Sequence, residues 1–280
     1  MRGHIPILFA VLIWSFILVG CSVHENDTLP LKGRVIAIEA GHEPSLPGQP
    51  CHTNGGGVGT SSFNGAERLT YPGNPLACPN GAVPEHALTE DIGRKLKRLI
   101  ETAGGKTVWT RLDEIEATPE GRERNLKARA EKANKAEADV LIDIHANGSS
   151  SPADSGYLLI IHCTGVDSIH EGNTPLPIDS SGCYPDRTSE KFTKSLELAR
   201  KIDYRLAQLS YNGRRITKKG EIYGADLWVP GTARMPTVLV EVGFMTDRHD
   251  MDLLAEEEYR RMLTRAFYQA VVDYFAGEPK

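Results

Sequence analysis

Five short runs rich in Val, Ile and Leu recur along the chain, at residues 34–39, 106–110, 139–146, 156–162 and 237–242. None alternates cleanly between apolar and polar positions, so the strands they predict are buried on both faces. A sheet of such strands needs cover on both sides, and the segments between them carry it. Residues 85–101 place Leu88, Ile92, Leu96 and either Leu99 or Ile100 on one helical stripe. A helix capped by Thr118, with Pro119 at its first position, carries Leu126, Ala130 and Ala133. Residues 189–209 present Phe192, Leu196, Ala199, Ile202, Leu206 and Leu209, and residues 251–275 present Leu254, Tyr259, Leu263, Phe267, Ala270 and Tyr274. These stripes read as core faces. Strands alternating with helices predict one α/β domain: a mainly parallel twisted sheet with helices on both faces.

With 280 residues the chain can bury a full core. Its net charge of −5, with no basic cluster on a predicted helix, excludes nucleic acid as the main partner. No internal repeat is visible. Arg2 precedes an apolar stretch over 5–19 that is short for a membrane span and right for a signal peptide. That stretch ends Leu18-Val19-Gly20-Cys21, which resembles a bacterial lipobox. The expectation is a signal peptide over 1–20, a lipid on Cys21 as membrane anchor, a tether over 21–32, and a catalytic domain over 33–276. An ordinary signal peptide or signal anchor is the alternative. Ser22 rather than Asp at the next position, as is usual in Gram-negative lipoproteins of the outer membrane, gives the expectation of an outer-membrane lipoprotein at the periplasmic face.

Four further cysteines remain, Cys51, Cys78, Cys163 and Cys183. An even count in an exported chain predicts two disulfides with three possible connectivities, and the spacing favours Cys51–Cys78 and Cys163–Cys183. No C-x-x-C pair is present to make these a zinc site. Each favoured pair falls in one of two long Gly-, Pro- and Ser-rich stretches, 43–84 and 148–188, whose length marks them as functional or mobile connections.

The polar residues at strand ends carry the chemistry. "IEAGHE" (38–43) puts His42 at the end of the first strand after a glycine that lets the chain turn sharply. "VLIDIHAN" puts His145 at the end of a buried strand, and "VLVEVGF" sets Glu241 in an otherwise apolar one, a costly place for an unpaired carboxylate. In open α/β sheets ligands gather beyond the carboxyl ends of the strands, so the three can meet there. Glu85 opens a helix, whose positive end would keep it ionised and aim it outwards. Two imidazoles and a carboxylate form the ligand set of a catalytic zinc site, and a second carboxylate beside it serves as general base. His52, His86, His162, His170 and His249, at loops and element ends, read as surface histidines.

These motifs, in this order, resemble the zinc-dependent N-acetylmuramoyl-L-alanine amidases of the Amidase_3 type. The resemblance rests on Gly-His at 41–42, Glu85, Thr110-Arg111, the Leu126/Arg129/Ala133/Asn134 helix, "DIHAN" and "MPTVLVEVGF" with Asp250 following. It covers about residues 33–276. It implies Zn2+ held by His42, Glu85 and His145, Glu241 as catalytic carboxylate, and peptidoglycan as substrate, cut between N-acetylmuramic acid and L-alanine. It also implies restraint of the site by a covering segment, here 43–84 or 148–188, and release by an activator protein. Ala40, Glu43, Glu90 and Asp143 depart from the pattern, Asp143 standing where serine is usual, and the 43–84 stretch is longer than typical. The alternatives are another zinc peptidase or deacetylase acting on wall fragments, and a wall-binding lipoprotein without turnover.

Overall fold

The structure is a computed structural model that describes residues 29–42, 70–79, 81–112, 119–149, 151, 154–163, 176–177, 189–217 and 222–277. The expected signal peptide, Cys21, Cys51, Cys183, Glu43, His52, His170, Thr118 and most of the two long stretches lie outside the described residues.

Among the described residues, thirteen elements alternate much as the apolar runs predict. In chain order they are β1 (Val35–Ala40), α1 (Glu85–Thr102), β2 (Lys106–Trp109), α2 (Pro119–Lys135), β3 (Val140–Asn147), β4 (Leu158–His162), β5 (Leu176–Pro177), α3 (Glu190–Leu206), β6 (Tyr223–Ala225), α4 (Trp228–Thr232), β7 (Thr237–Phe244), α5 (Arg248–Ala255) and α6 (Glu257–Ala276). The strands form one sheet in the order β2-β1-β3-β7-β4-β6-β5. Pairing is parallel from β2 through β7 and between β4 and β6; β4 runs antiparallel to β7, and β5 to β6. β5 and β6, two and three residues long, carry too little apolar pattern to be read from sequence.

The double burial of the strands divides the core in two. Ile36 and Ile38 of β1, Ile142 of β3 and Val238 and Val240 of β7 pack with residues of α1, α3 and α6. The residues between them face the other way: Ala37 and Leu141 pack with Ala130 and Ala133 of α2 and Val229 of α4. Glu39, Asp143, His145 and Glu241 occupy that second face too, by the two-residue period of their strands.

The single helix expected over 251–275 is two helices. Glu256 is extended (φ −74°, ψ 122°), and Arg260 donates to the Leu254 and Ala255 carbonyls that α5 leaves open. Asp247 caps α5 by accepting from Asp250 N–H, while the Asp250 carboxylate accepts from Gly156 N–H and Phe244 N–H, fastening the approach to β4 to the end of β7. Leu31 is fully buried, so packing begins inside the stretch expected to be tether. Among the described residues no helix is long and apolar enough to cross a membrane.

Candidate metal centre

β1, β3 and β7 run parallel, so their carboxyl ends lie at one edge, and α1 starts there. Gly41 N–H donates to Ile144 carbonyl at 2.8 Å, extending the β1–β3 ladder past the end of β1, and Thr89 of α1 donates to the Gly41 carbonyl at 3.0 Å. The chain then turns at His42, not at the glycine: His42 itself takes a left-handed φ of 62°. Gly41 serves a different need. A Cβ there would stand under 3.0 Å from the His145 ring, so only glycine lets that imidazole lie against the strand.

Glu85 does not point outwards. It is buried, and its two oxygens divide between the histidines: Oε2 lies 3.1 Å from His42 Nε2, and Oε1 lies 3.1 Å from His145 Nδ1. Oε1 also accepts Ala146 N–H at 2.9 Å, which locks the side chain to the end of β3. Burial alone would raise this carboxyl, but the His42 and His145 imidazoles outweigh it and hold it well below the usual carboxylate range. The two rings meet edge-on with centroids 5.1 Å apart. Donor atoms of His42, Glu85 and His145 all lie within 4.8 Å of one another, the group among the described residues that can hold a metal ion.

Glu241 completes the arrangement. It pairs with His145 across β3 and β7, immediately before the register slips: two steps on β3, from His145 to Asn147, match three on β7, from Glu241 to Phe244. Such an irregularity re-aims side chains at a sheet's end. The residue keeps some exposure, yet its Oε2 is buried with no hydrogen-bond partner among the described residues. Burial pushes its carboxyl up to about 8, partly offset by His145 and reinforced by Glu85 and Asp143. A buried carboxylate oxygen without a partner among the described residues, beside the His145 imidazole and the acids Glu85 and Asp143, is costly as a structural device and apt as a base. Two nitrogens and a carboxylate oxygen are donors that zinc takes readily, so these residues fit that ion.

Against known proteins, the family model for Amidase_3, described as N-acetylmuramoyl-L-alanine amidase, matches residues 36–273. The chain belongs to this family. A germination-specific N-acetylmuramoyl-L-alanine amidase of Bacillus subtilis is 23% identical over 261 residues, covering 90% of this chain and 85% of that protein. Among solved structures, the CwlD amidase from Clostridioides difficile, in complex with the GerS lipoprotein, superposes with a TM-score of 0.56 at 21% identity. It covers 88% of this chain and 100% of its own. The catalytic domain of CwlV from Bacillus (Paenibacillus) polymyxa gives 0.56 at 18%, covering 88% and 99%. At those identities the structural likeness shows the fold.

This Amidase_3 chain carries a second polar group behind the first, which sequence reading did not assemble. Glu39, 1% exposed, pairs with the equally buried Arg129 of α2 and accepts from the Thr110 hydroxyl, while Arg129 Nε donates to Asn125 at 2.6 Å. Burial raises the Glu39 carboxyl, against the pull of Arg129. Arg111 pairs with Glu90, so the acid that departs from the family pattern on α1 supplies a counter-ion. The signal was present in Glu39 as it was in Glu241: a carboxylate inside an apolar strand. His86 and His162 are not surface histidines. Both are half-buried, each with an Nδ1 lacking a hydrogen-bond partner among the described residues, and burial lowers both, His86 to about 4. His249 is exposed as expected.

Proposed function

We propose that this chain is a zinc-dependent N-acetylmuramoyl-L-alanine amidase that hydrolyses the amide joining the lactyl group of N-acetylmuramic acid to L-alanine in peptidoglycan. One observation carries the reading: His42, Glu85 and His145 bring donor atoms within 4.8 Å of one another beside Glu241, whose buried Oε2 has no hydrogen-bond partner among the described residues. His42 and His145 would hold the ion through nitrogen and Glu85 through oxygen. Zinc, when bound, supplies a Lewis acid for the scissile carbonyl and lowers the pKa of the attacking water. Glu241 takes that water's proton at its carboxylate and hands it to the departing amine nitrogen, so the leaving group departs neutral. Ala146 N–H, spent on Glu85, keeps the acid ligand oriented throughout.

Glu241→Gln preserves shape and removes the base. We expect it to retain zinc while turnover falls by about 10²–10⁴-fold, measured by metal analysis and peptide release together. Wild-type turnover in that variant would remove Glu241 from the role. The reaction itself is tested with the chain lacking its first 21 residues, incubated with purified sacculi with and without a chelator. The expected products are stem peptides with a free L-alanine amine and intact glycan, absent under chelation. Cleavage within the stem peptide would make this a zinc peptidase instead.

The cellular reading has separate support. Cys21 in its lipobox-like setting favours export and anchoring at the periplasmic face of the outer membrane. Cys78 and Cys163, both disulfide-bonded sulfurs, favour an oxidising compartment. β1 carries the chain across its six residues, about 20 Å, from the tether side to His42. A lipid at Cys21 would thus hold the opposite end of the sheet to the membrane and leave the site facing the wall. The solved CwlD structure contains a lipoprotein, GerS, and an accessory protein is accordingly a candidate for releasing this enzyme from restraint.

A further inference from the structure

Asp143 is a buried carboxylate without an assigned task. It is 1% exposed, and its Oδ1 has no hydrogen-bond partner of good geometry among the described residues. Its neighbour across the β1–β3 register is another acid, Glu39, which has Arg129 and Thr110. What Asp143 does face is an imidazole: Oδ1 lies 3.2 Å from His145 Nε2. The two side chains stand two residues apart on β3 and share a face. The opposite ring nitrogen, Nδ1, faces Glu85. Asp143 itself stands outside the group of donors that lie within 4.8 Å of one another.

We propose that Asp143 is the positioning residue for His145, holding its proton on Nε2 so that the Nδ1 lone pair faces the metal. The proposal rests on the metal centre argued above and deepens it. A neutral imidazole has one N–H and one lone pair, so the nitrogen that donates decides which one is left to ligate. At 3.2 Å the Nε2–H needs only to turn toward this carboxylate, which would fix the ring about its χ2 torsion and make Nδ1 a more basic ligand. Gly41 lets the ring lie flat against the strand, but flatness alone does not choose between the two orientations of the ring. Asp143 chooses. The role also accounts for an acid at a position where the family resemblance expects serine.

The test compares zinc affinity, by competition with a chromophoric chelator, in the wild-type chain, Asp143→Asn and Asp143→Ala. Alanine removes the acceptor and should weaken zinc binding about 10–100-fold. Asparagine keeps an acceptor oxygen without the charge, and its loss should be smaller. Melting of the metal-free proteins controls for folding; should alanine fail to fold, asparagine and the following measurement decide. Nitrogen-15 correlation spectra of the zinc-loaded wild type should show His145 protonated at Nε2 and metallated at Nδ1. Zinc affinity within about twofold of wild type in both variants, or a proton on Nδ1, would overturn the proposal. A wild type that binds no zinc would overturn the metal centre along with it.

Discussion

At the residue scale, the site depends on one missing methyl group. Gly41 has to be glycine because the His145 ring occupies the volume its Cβ would need. Overpacking in a filled site costs about 1–3 kcal/mol. If that cost falls on the position of His145, Gly41→Ala should weaken zinc binding roughly 5- to 150-fold. Zinc titration beside a melting curve in chelator separates the effects. An unchanged affinity with a lowered melting temperature would mean that the strain falls on the fold. Single residues also show how far a sequence can be read. His145 and Glu241 were legible because polar groups are expensive inside apolar strands. Glu39 and Asp143 sent the same signal, but only the folded chain shows that one meets Arg129 of α2 and the other the His145 imidazole on its own strand.

At the element scale, α2 is held to the sheet by charge as well as by apolar packing. It places Ala130 and Ala133 against β1 and β3, and Arg129 between them and Glu39. Breaking a buried pair by removing one partner leaves the other charge uncompensated. We therefore expect Arg129→Met to destabilise the chain by about 3–5 kcal/mol in urea unfolding, and a loss under 1 kcal/mol would make the pair incidental. A second tie joins α3 to the α4 region, where Lys191 donates to the Pro230 carbonyl at 2.6 Å and to the Ala233 carbonyl. Burial lowers Lys191 from 10.5 to about 8. Between those values the native chain holds fewer protons than the unfolded chain, so stability gains with rising pH across that window. Below it both states are charged and the contribution is flat. The stability of wild type relative to Lys191→Met should thus improve from about pH 8 to about pH 10.5, and a constant difference would contradict the shift.

At the scale of the whole molecule, we expect folding to be separable from the proposed metal binding. The apolar core runs between the sheet and α1, α3 and α6, away from the donor group, which lies at the carboxyl edge of the strands. Chelated protein should therefore keep its secondary structure and unfold cooperatively. Zinc at about 100 times its dissociation constant should add about 2.7 kcal/mol, seen as a higher melting temperature. Collapse of the circular dichroism spectrum on chelation would assign the ion a structural role instead.

The sequence by itself determined the architecture and singled out the side chains that the fold gathers into the candidate site. Doubly apolar strand runs allow few solutions besides a covered parallel sheet, and that sheet sends His42, His145 and Glu241 to one edge. Only the tertiary structure decided how those side chains meet. The turn falls on His42 because Gly41 is occupied by the approach of His145, and Glu85 turns inward because Ala146 N–H and two imidazoles receive it. Short edge strands, the break at Glu256 and the partners of Glu39 and Asp143 were equally beyond reading. The Glu39–Arg129 pair joins residues ninety apart in the chain, and the edge strands pair only across the sheet. The Asp143–His145 contact and the break at Glu256 are local but depend on how side chains are aimed, which periodicity does not record.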